Sequence, residues 1–193
     1  MKNTNSKALK DEELVRLSLE NSDNFLHLMQ RYETRLLAYI HRLINAPTED
    51  AEDILQEVFI KTYENLNDFD TSLRFSSWIY RITHNHTISF YRKFKNQPST
   101  LSTGESQTFF ENLRDDTDIP NQINQKLNSK KIATLLQKLD KKYHTVLILR
   151  YLEGKDYSEI SDILKKPMGT VATLLNRAKS HFKKILITNG HDG

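Results

Sequence analysis

Acidic and amide side chains gather on one predicted helix, which runs from Glu49 to Leu66. Asp50, Asp53 and Glu57 recur at about one-turn spacing, and Gln56 precedes Glu57. This acid–amide cluster could bind a divalent ion, supply a general acid–base pair or form a solvated face. It could also dock on a basic protein surface that relieves the repulsion between its like charges. No histidine has ligand spacing with these acids, so we favour docking on a protein partner.

Aromatic and basic side chains interleave on a second predicted helix, from about Phe75 to Phe94, after a loop from Asn67 to Arg74. Bases stack on aromatic rings at roughly 1–3 kcal/mol each, while cations follow the phosphates of a single strand. Because aromatic stripes usually belong to a core, we expect Phe75 and Trp78 to be buried. The opposite side carries Tyr80, His84, Thr87 and Tyr91, flanked by Arg81, Asn85, Arg92 and Lys93. Of these, Tyr80, Tyr91, Arg92 and Lys93 are predicted to contact nucleic acid, with ordinary surface as the alternative.

The segment from Tyr157 to Lys184 has the pattern of a helix-turn-helix that binds duplex DNA. Pro167 ends the first helix, Gly169 permits the turn, and Thr170 is predicted to cap the second helix. In that second helix an inward stripe is formed by Val171, Leu175, Ala178 and Phe182. The opposite face can reach base edges and phosphates, and carries Thr173, Asn176, Arg177, Lys179, Ser180 and Lys183.

Composition favours an all-α fold, because helical periodicity recurs along the chain and strand-type alternation is nearly absent. The chain has no cysteine, which excludes disulfides and thiolate metal sites. The first ten residues lack the apolar core of a signal peptide, and no segment approaches the roughly 18 apolar residues of a membrane span. We expect a cytosolic protein with no cofactor, no metal and no membrane insertion.

Charge is divided unevenly along the sequence. Residues 11 to 94 carry 14 acidic and 9 basic side chains, whereas residues 130 to 193 carry 6 acidic and 13 basic ones. A basic segment suits a polyanion, because counterion release supplies much of its affinity. An acidic segment is repelled by duplex DNA, so its main partner is expected to be a protein.

Domain boundaries follow from the change in composition. We predict a disordered N-terminus (1–10), a four-helix domain (11–94), a flexible linker (95–120), a second helical domain (121–187) and a tail (188–193). Within the first domain, Asn45 to Pro47 is predicted to end the second helix and Thr48 to cap the third. The linker is polar apart from Phe109, Phe110 and Leu113.

Two ordered sets of motifs resemble the sigma-70 family of bacterial sigma factors. The segments Asp50 to Phe59 and Phe75 to Asn85 resemble conserved region 2, whereas Leu139 to Gly154 and Tyr157 to Lys179 resemble region 4. A plain linker between the two regions is typical of the extracytoplasmic-function (ECF) class. The resemblance implies a protein that binds core RNA polymerase and directs promoter recognition, promoter melting and transcription initiation, without being an enzyme.

The resemblance also implies roles for individual residues. The core polymerase, through the clamp of its largest subunit and its flap, would be the protein partner, with clamp contacts from Asp50, Asp53, Gln56 and Glu57. The N-terminal domain would melt the minus 10 element and capture an unstacked base in a pocket. The residues that would do this are Phe69, Arg74, Tyr80, His84, Asn85, Arg92 and Lys93. The minus 35 duplex would be read in its major groove by Lys166, Thr170, Thr173, Asn176, Arg177, Lys179, Ser180 and Lys183.

The sequence departs from the family at Ala172 and Leu174, where many members carry cations, so fewer minus 35 contacts are expected; Lys165 and Lys166 could compensate. Members are commonly inhibited by an anti-sigma factor, often membrane-anchored, which is a further expected partner. Two rival functions remain open. A one-component helix-turn-helix regulator would leave the acid–amide cluster without a role, and a metal-dependent nuclease would need that cluster to hold an ion.

Overall fold

The computed structural model describes residues 9–95 and 132–190, and the chain divides into two compact units. The N-terminal unit contains the helices before residue 100 and the C-terminal unit most of the chain after it. No strand occurs in the two described ranges, which confirms the predicted all-α fold. The predicted linker beyond Lys95, including Phe109, Phe110 and Leu113, lies outside the described residues.

Four helices and two 3₁₀ turns build the described part of the N-terminal unit. They are α1 (Asp11–Glu20), a turn at Ser22–Asn24, α2 (Phe25–Ile44), α3 (Thr48–Glu64), a turn at Leu66–Asp68, and α4 (Phe75–Lys95). Asn45 ends α2 in the left-handed conformation (φ 48°), as expected for this residue type after a helix. Pro47 occupies the cap position of α3, so the predicted capping role of Thr48 is wrong: Thr48 is the first helical residue.

A cluster of aromatic rings forms the centre of this unit. The Phe75 ring is fully buried, and its centroid lies 5.6 Å from Tyr32, 5.5 Å from Phe69 and 5.7 Å from Trp78. The backbone N–H of Phe75 donates to a carboxylate oxygen of Glu12 at 3.1 Å. A residue of α1 therefore satisfies one of the free amides at the start of α4, and places a negative charge where the helix dipole favours it.

Polar contacts join α1 to α2 at the edge of the core. The Asp11 carboxylate accepts hydrogen bonds from Arg31 and from the hydroxyl of Tyr32. Burial, reinforced by the hydrogen bond and charge of Asp11, raises the pKa of Tyr32 far above its usual value. The Tyr32 hydroxyl therefore keeps its proton near pH 7 and donates it to Asp11. This hydrogen bond holds the aromatic cluster against α1.

The buried side of α4 lies between the two faces predicted from its sequence. It carries Phe75, Ile79 and Tyr80, followed by Thr83 and Thr87, whose side chains are fully buried. The Thr83 hydroxyl donates to the carbonyl of Ile79 at 2.8 Å. Among the described residues, Thr87 Oγ1 has no hydrogen-bond partner. Two buried threonines thus continue a stripe that an apolar pattern alone does not reveal.

The C-terminal unit begins, within the described residues, with a helical stretch over 132–137. The remaining elements are α5 (Lys141–Leu147), which continues as a π-helical turn at Ile148–Leu152, then α6 (Tyr157–Leu164) and α7 (Met168–Gly190). The helix α5 packs against α7. The helix α7 extends to Gly190, past the predicted start of the tail at residue 188, and α4 includes Lys95, the first residue of the predicted linker.

A capping box begins α6 in this unit. The backbone N–H of Glu159 donates to Asp156 at 2.8 Å, and that of Asp156 donates to Glu159 at 3.0 Å. Glu159 also lies 3.6 Å from the amino group of Lys155, which is buried. These contacts fix the start of the helix-turn-helix.

The turn between α6 and α7 differs from its prediction. Lys165 takes the left-handed conformation (φ 51°), not Gly169, which lies in the first turn of α7. The Ser161 hydroxyl donates to the carbonyl of Lys166 at 2.6 Å, and the Lys166 N–H donates to the carbonyl of Ser161 at 3.1 Å. Since α7 begins at Met168, the predicted capping role of Thr170 is wrong, and its side chain is exposed on the first turn.

Within the described ranges, no helix has the length and apolar character needed to span a membrane.

Thr87→Val should stabilise the N-terminal unit by about 0.5–1 kcal/mol, because it removes a buried hydroxyl that lacks a partner. Thr83→Val is the matched control: it removes a hydroxyl that is hydrogen-bonded, and should be neutral or destabilising. Urea unfolding followed by the fluorescence of Trp78, the one tryptophan, measures both. A less stable Thr87→Val protein would show that this hydroxyl is satisfied in solution.

Candidate functional site

The exposed face of α7 carries the polar side chains predicted to meet duplex DNA. Val171, Leu175 and Ala178 are buried and Phe182 is half-buried, which confirms the predicted inward stripe. The exposed residues are Lys166, before the helix, and Thr170, Thr173, Asn176, Arg177, Lys179, Ser180 and Lys183 on it. A polar strip from Thr170 to Lys183, about three and a half turns long, is therefore open to a ligand.

Two hydroxyls on this strip are already engaged by the helix. Thr173 Oγ1 donates to the carbonyl of Gly169 at 2.9 Å, and Ser180 Oγ donates to that of Asn176 at 3.1 Å. These hydroxyls can still accept a hydrogen bond but have committed their proton. Asn176 and Arg177 are thus the side chains best able to donate to base edges.

The acid–amide cluster lies on the outer side of α3. Asp53, Gln56 and Glu57 are exposed and Asp50 is half-buried. Two groups contact Glu57 of the cluster: His86 Nε2 lies 2.9 Å away and the cationic Lys61 Nζ 4.0 Å away. The sequence analysis missed this histidine because it approaches from α4, 29 positions along the chain.

An apolar groove between α2 and α3 adjoins the cluster. Two neighbouring hollows, of about 810 and 480 Å³, share Met29, Gln56 and Phe59. Exposed apolar side chains border them: Leu26 is 53% exposed, Ile60 57% and Tyr63 45%. This α2–α3 groove was not predicted from sequence, although Ile60 and Tyr63 stand out as apolar residues outside the buried stripe of α3. The groove offers apolar contacts next to the polar contacts of the cluster.

A polar pocket of about 590 Å³ lies between the end of α3 and α4. We call it the α4 pocket. Its lining combines an aromatic ring, cations, amides and one carboxylate, from Lys61, Asn65, Asp68, Trp78, Arg81, Ile82, Asn85, His86 and Ser89. Trp78 is half-buried, so one part of its ring is available for stacking. An aromatic surface beside amides and cations is suited to holding a base and its phosphate.

Of the residues predicted to meet a single strand, Asn85 lines the pocket, and Arg74, Arg92 and Lys93 are exposed. The predicted exposure of Tyr80 is wrong: its side chain is 2% exposed, and its ring lies 5.1 Å from Tyr39. Phe69 is also buried, at 6% exposure, with its ring 5.1 Å from Trp78. Phe69 therefore supports the pocket through Trp78, whereas Tyr80 packs against α2.

His84 is largely enclosed beside Tyr39, whose hydroxyl lies 3.1 Å from His84 Nδ1. Burial, followed by the charge of Arg92, lowers the pKa of His84 to about 4. The ring is therefore neutral near pH 7 and supplies no positive charge to a phosphate.

Within residues 9–95 and 132–190, no group of three or more His, Asp or Glu side chains is arranged to hold a metal ion.

Comparisons with known proteins account for both units. The family model Sigma-70 region 2 matches residues 28–97, and the model Sigma-70, region 4 matches residues 129–182. The ECF RNA polymerase sigma factor SigW of Bacillus subtilis (strain 168) is 32% identical over 170 residues, which cover 86% of this chain and 90% of SigW. The chain belongs to the sigma-70 family. It is an RNA polymerase sigma factor of the ECF class.

Two solved structures share the fold of this sigma factor. CnrH, in complex with the cytosolic domain of CnrY, has a TM-score of 0.68 at 23% identity, covering 92% of this chain and 97% of CnrH. The sigma factor RpoE, in complex with the anti-sigma factor NepR from Bartonella quintana, has a TM-score of 0.62 at 18% identity, covering 84% and 96%.

The family matches bear on the rival functions. The region 2 match contains the acid–amide cluster and the α4 pocket, and the region 4 match contains most of the exposed strip of α7. A one-component regulator is therefore not favoured, because it would leave the N-terminal unit of this sigma factor unexplained.

The N-terminal unit should lose stability as the pH falls from about 6.5 towards 4. Because the folded-state pKa of His84 is lowered, the unfolded chain takes up the proton first, and the stabilisation present above pH 6.5 is lost on acidification. His84→Gln should reduce this loss by on the order of 1–3 kcal/mol. The midpoints of urea unfolding, followed by Trp78 fluorescence at pH 7 and pH 5, measure the effect. His27→Gln on α2 is the control and should keep the pH dependence of the wild type. An unchanged pH dependence would contradict the burial of His84.

Proposed function

We propose that the acid–amide cluster and the α2–α3 groove together form the surface that binds core RNA polymerase. The exposure of Asp53, Gln56 and Glu57 supports this, as does the apolar groove beside them. Interfaces combine an apolar centre with a polar rim, and here the groove would supply the centre and the cluster the rim. In the family this helix grips the clamp coiled coil of the largest subunit, while region 4 meets the flap.

The α4 pocket is proposed to capture one unstacked base of the melted minus 10 strand. A half-buried indole and a free amide supply stacking and hydrogen bonds, while Arg74, Arg92 and Lys93 follow the strand's phosphates. Extrusion of a base costs a few kcal/mol, which contacts inside a pocket offset. Phe69, Tyr80 and His84 were predicted to touch DNA, but two are buried and the third is neutral and largely enclosed. Phe69 is proposed to support the pocket through Trp78, and Tyr80 and His84 to hold α4 against Tyr39 of α2.

The exposed strip of α7 is proposed to enter the major groove at the minus 35 element. Asn176 and Arg177 would read bases, while Lys166, Lys179 and Lys183 would contact phosphates, with Thr170, Thr173 and Ser180 as further contacts. Ala172 and Leu174 are half-buried, so they take little part in this surface. The exposed Lys165 and Lys166 could compensate for the cations missing there.

The protein is proposed to act by binding, not by making bonds. Core polymerase would hold the two DNA-binding units at the promoter, so that each raises the effective concentration of the other and neither needs high affinity alone. The observation that carries this proposal is the separation of surfaces. The region 2 match holds an acidic, partly apolar face and a polar pocket with an aromatic ring, and the region 4 match holds a basic strip. Free protein should bind promoter DNA poorly.

An anti-sigma factor is the proposed inhibitor, and the proposed location is the cytoplasm, at the nucleoid when active. The support is that RpoE, which shares the fold, was solved with the anti-sigma factor NepR. In the family such inhibitors are often membrane-anchored, which would hold the inactive protein at the membrane.

Asp53→Ala and Ile60→Ala should each weaken binding of core polymerase by about tenfold, since each removes one part of the proposed interface. Glu20→Ala, which removes an exposed acid on α1, is the matched control and should bind as the wild type does. Equilibrium titration of labelled protein with purified core enzyme measures the affinities, and circular dichroism checks that each variant is folded. Wild-type affinity in both test variants would rule out this surface.

Arg177→Ala should reduce the preference of the holoenzyme for its minus 35 element over a scrambled element by about 1–3 kcal/mol. Lys183→Ala should weaken binding to both duplexes equally and lower the salt slope by about 1, because a phosphate contact carries no sequence information. Fluorescence anisotropy over a salt series compares the two variants. Retention of full discrimination by Arg177→Ala would show that α7 is not the reading helix.

A further inference from the structure

One residue of the α4 pocket is connected to the acid–amide cluster. His86 lines the pocket, and its Nε2 atom lies 2.9 Å from a carboxylate oxygen of Glu57. The imidazole is mostly enclosed, with 16% of its side chain exposed, whereas 61% of the Glu57 side chain is exposed. An exposed acid of α3 thus orients a largely buried ring on α4.

The contact with Glu57 determines which nitrogen of His86 carries the proton. A carboxylate accepts hydrogen bonds and does not donate them, so Nε2 must be the protonated atom. Burial and then the nearby charge of Lys61 lower the pKa of His86, and the ring is neutral near pH 7. Nδ1 therefore carries a lone pair, and it is the acceptor that this pocket-lining ring has left for a ligand.

Other pocket residues complement this acceptor. Asp68 adds a second one, the indole of Trp78 offers a surface for stacking, and Asn85 is exposed at the same pocket. The exocyclic amino groups of cytosine and adenine are donors, whereas thymine and guanine present a carbonyl oxygen at the corresponding position. A carbonyl oxygen facing Nδ1 would place two lone pairs together and leave both unsatisfied.

We infer that His86 is a specificity-determining residue of the α4 pocket, which selects, through Nδ1, a base with an amino group at C4 of a pyrimidine or C6 of a purine, cytosine or adenine. Glu57 is its positioning residue. This inference rests on the proposed capture of a minus 10 base in the pocket. It adds a base preference and two residues that the sequence analysis did not connect.

The test uses holoenzyme assembled from the full chain and excess core polymerase. The probes are labelled single-stranded deoxyoligonucleotides with the minus 10 sequence of a promoter found by run-off transcription, each with one position changed to each of the other bases. At one position the wild type should prefer cytosine or adenine over thymine by about tenfold. His86→Ala should reduce this ratio to below about threefold, and His27→Ala should leave it unchanged.

Glu57→Ala should lower the same ratio, because the ring is then free to adopt the other tautomer. Glu57→Gln should restore much of it, since the amide oxygen can accept from Nε2. Glu57 is also placed on the polymerase surface, but the ratio is taken between oligonucleotides on one holoenzyme, so a change in core affinity cancels. A merely structural role would lower the affinity for all probes and leave the ratio intact.

Base capture in the α4 pocket and base selection by His86 can be tested separately. If Asn85→Ala weakens capture of the base while His86→Ala keeps the full ratio, the role of His86 is overturned and the pocket assignment stands. If the wild type discriminates at no position and Asn85→Ala changes nothing, base capture in this pocket is overturned, together with the inference that rests on it.

Discussion

The burial of Phe75 is the constraint on which the N-terminal unit depends. Its ring brings together Tyr32 of α2, Phe69 of the loop and Trp78 of α4, and its backbone amide is held by Glu12 of α1. Large rings in contact bury much apolar area and prefer tilted or edge-to-face geometry, which these pairs adopt. The start of α4 is therefore fixed by three other segments, and the position of the α4 pocket follows from it.

Surfaces of different chemistry are arranged around this core. The acid–amide cluster and the α2–α3 groove lie on the outside of α2 and α3, and the α4 pocket lies on the side of α3 that meets α4. Glu57 is the residue that touches both, through His86. In the C-terminal unit, burial of Val171, Leu175 and Ala178 leaves the opposite strip of α7 exposed, and this strip is the surface proposed to meet DNA.

Much of this fold could be predicted from the sequence, because helices longer than ten residues carry a strong apolar period. The end of α2, the bounds of α4 and the inward stripe of α7 were predicted to within a residue or two. The errors concern residues whose environment depends on distant segments. Tyr80 was assigned to the surface although Tyr39 of α2 covers it, and Gly169 was given the turn conformation that Lys165 adopts beside Ser161.

The sequence by itself determined the helical fold, the division of charge between the two ends and the motifs of the sigma-70 family, because periodicity, charge and residue order are local properties of the chain. Only the tertiary structure decided which side of α4 is buried, which rings line the α4 pocket, and that His86 meets Glu57. The physical reason is that burial and hydrogen bonding depend on what the neighbouring helix presents. A helix with polar threonines on its inner side and aromatic rings on both sides does not reveal that neighbour in its own pattern.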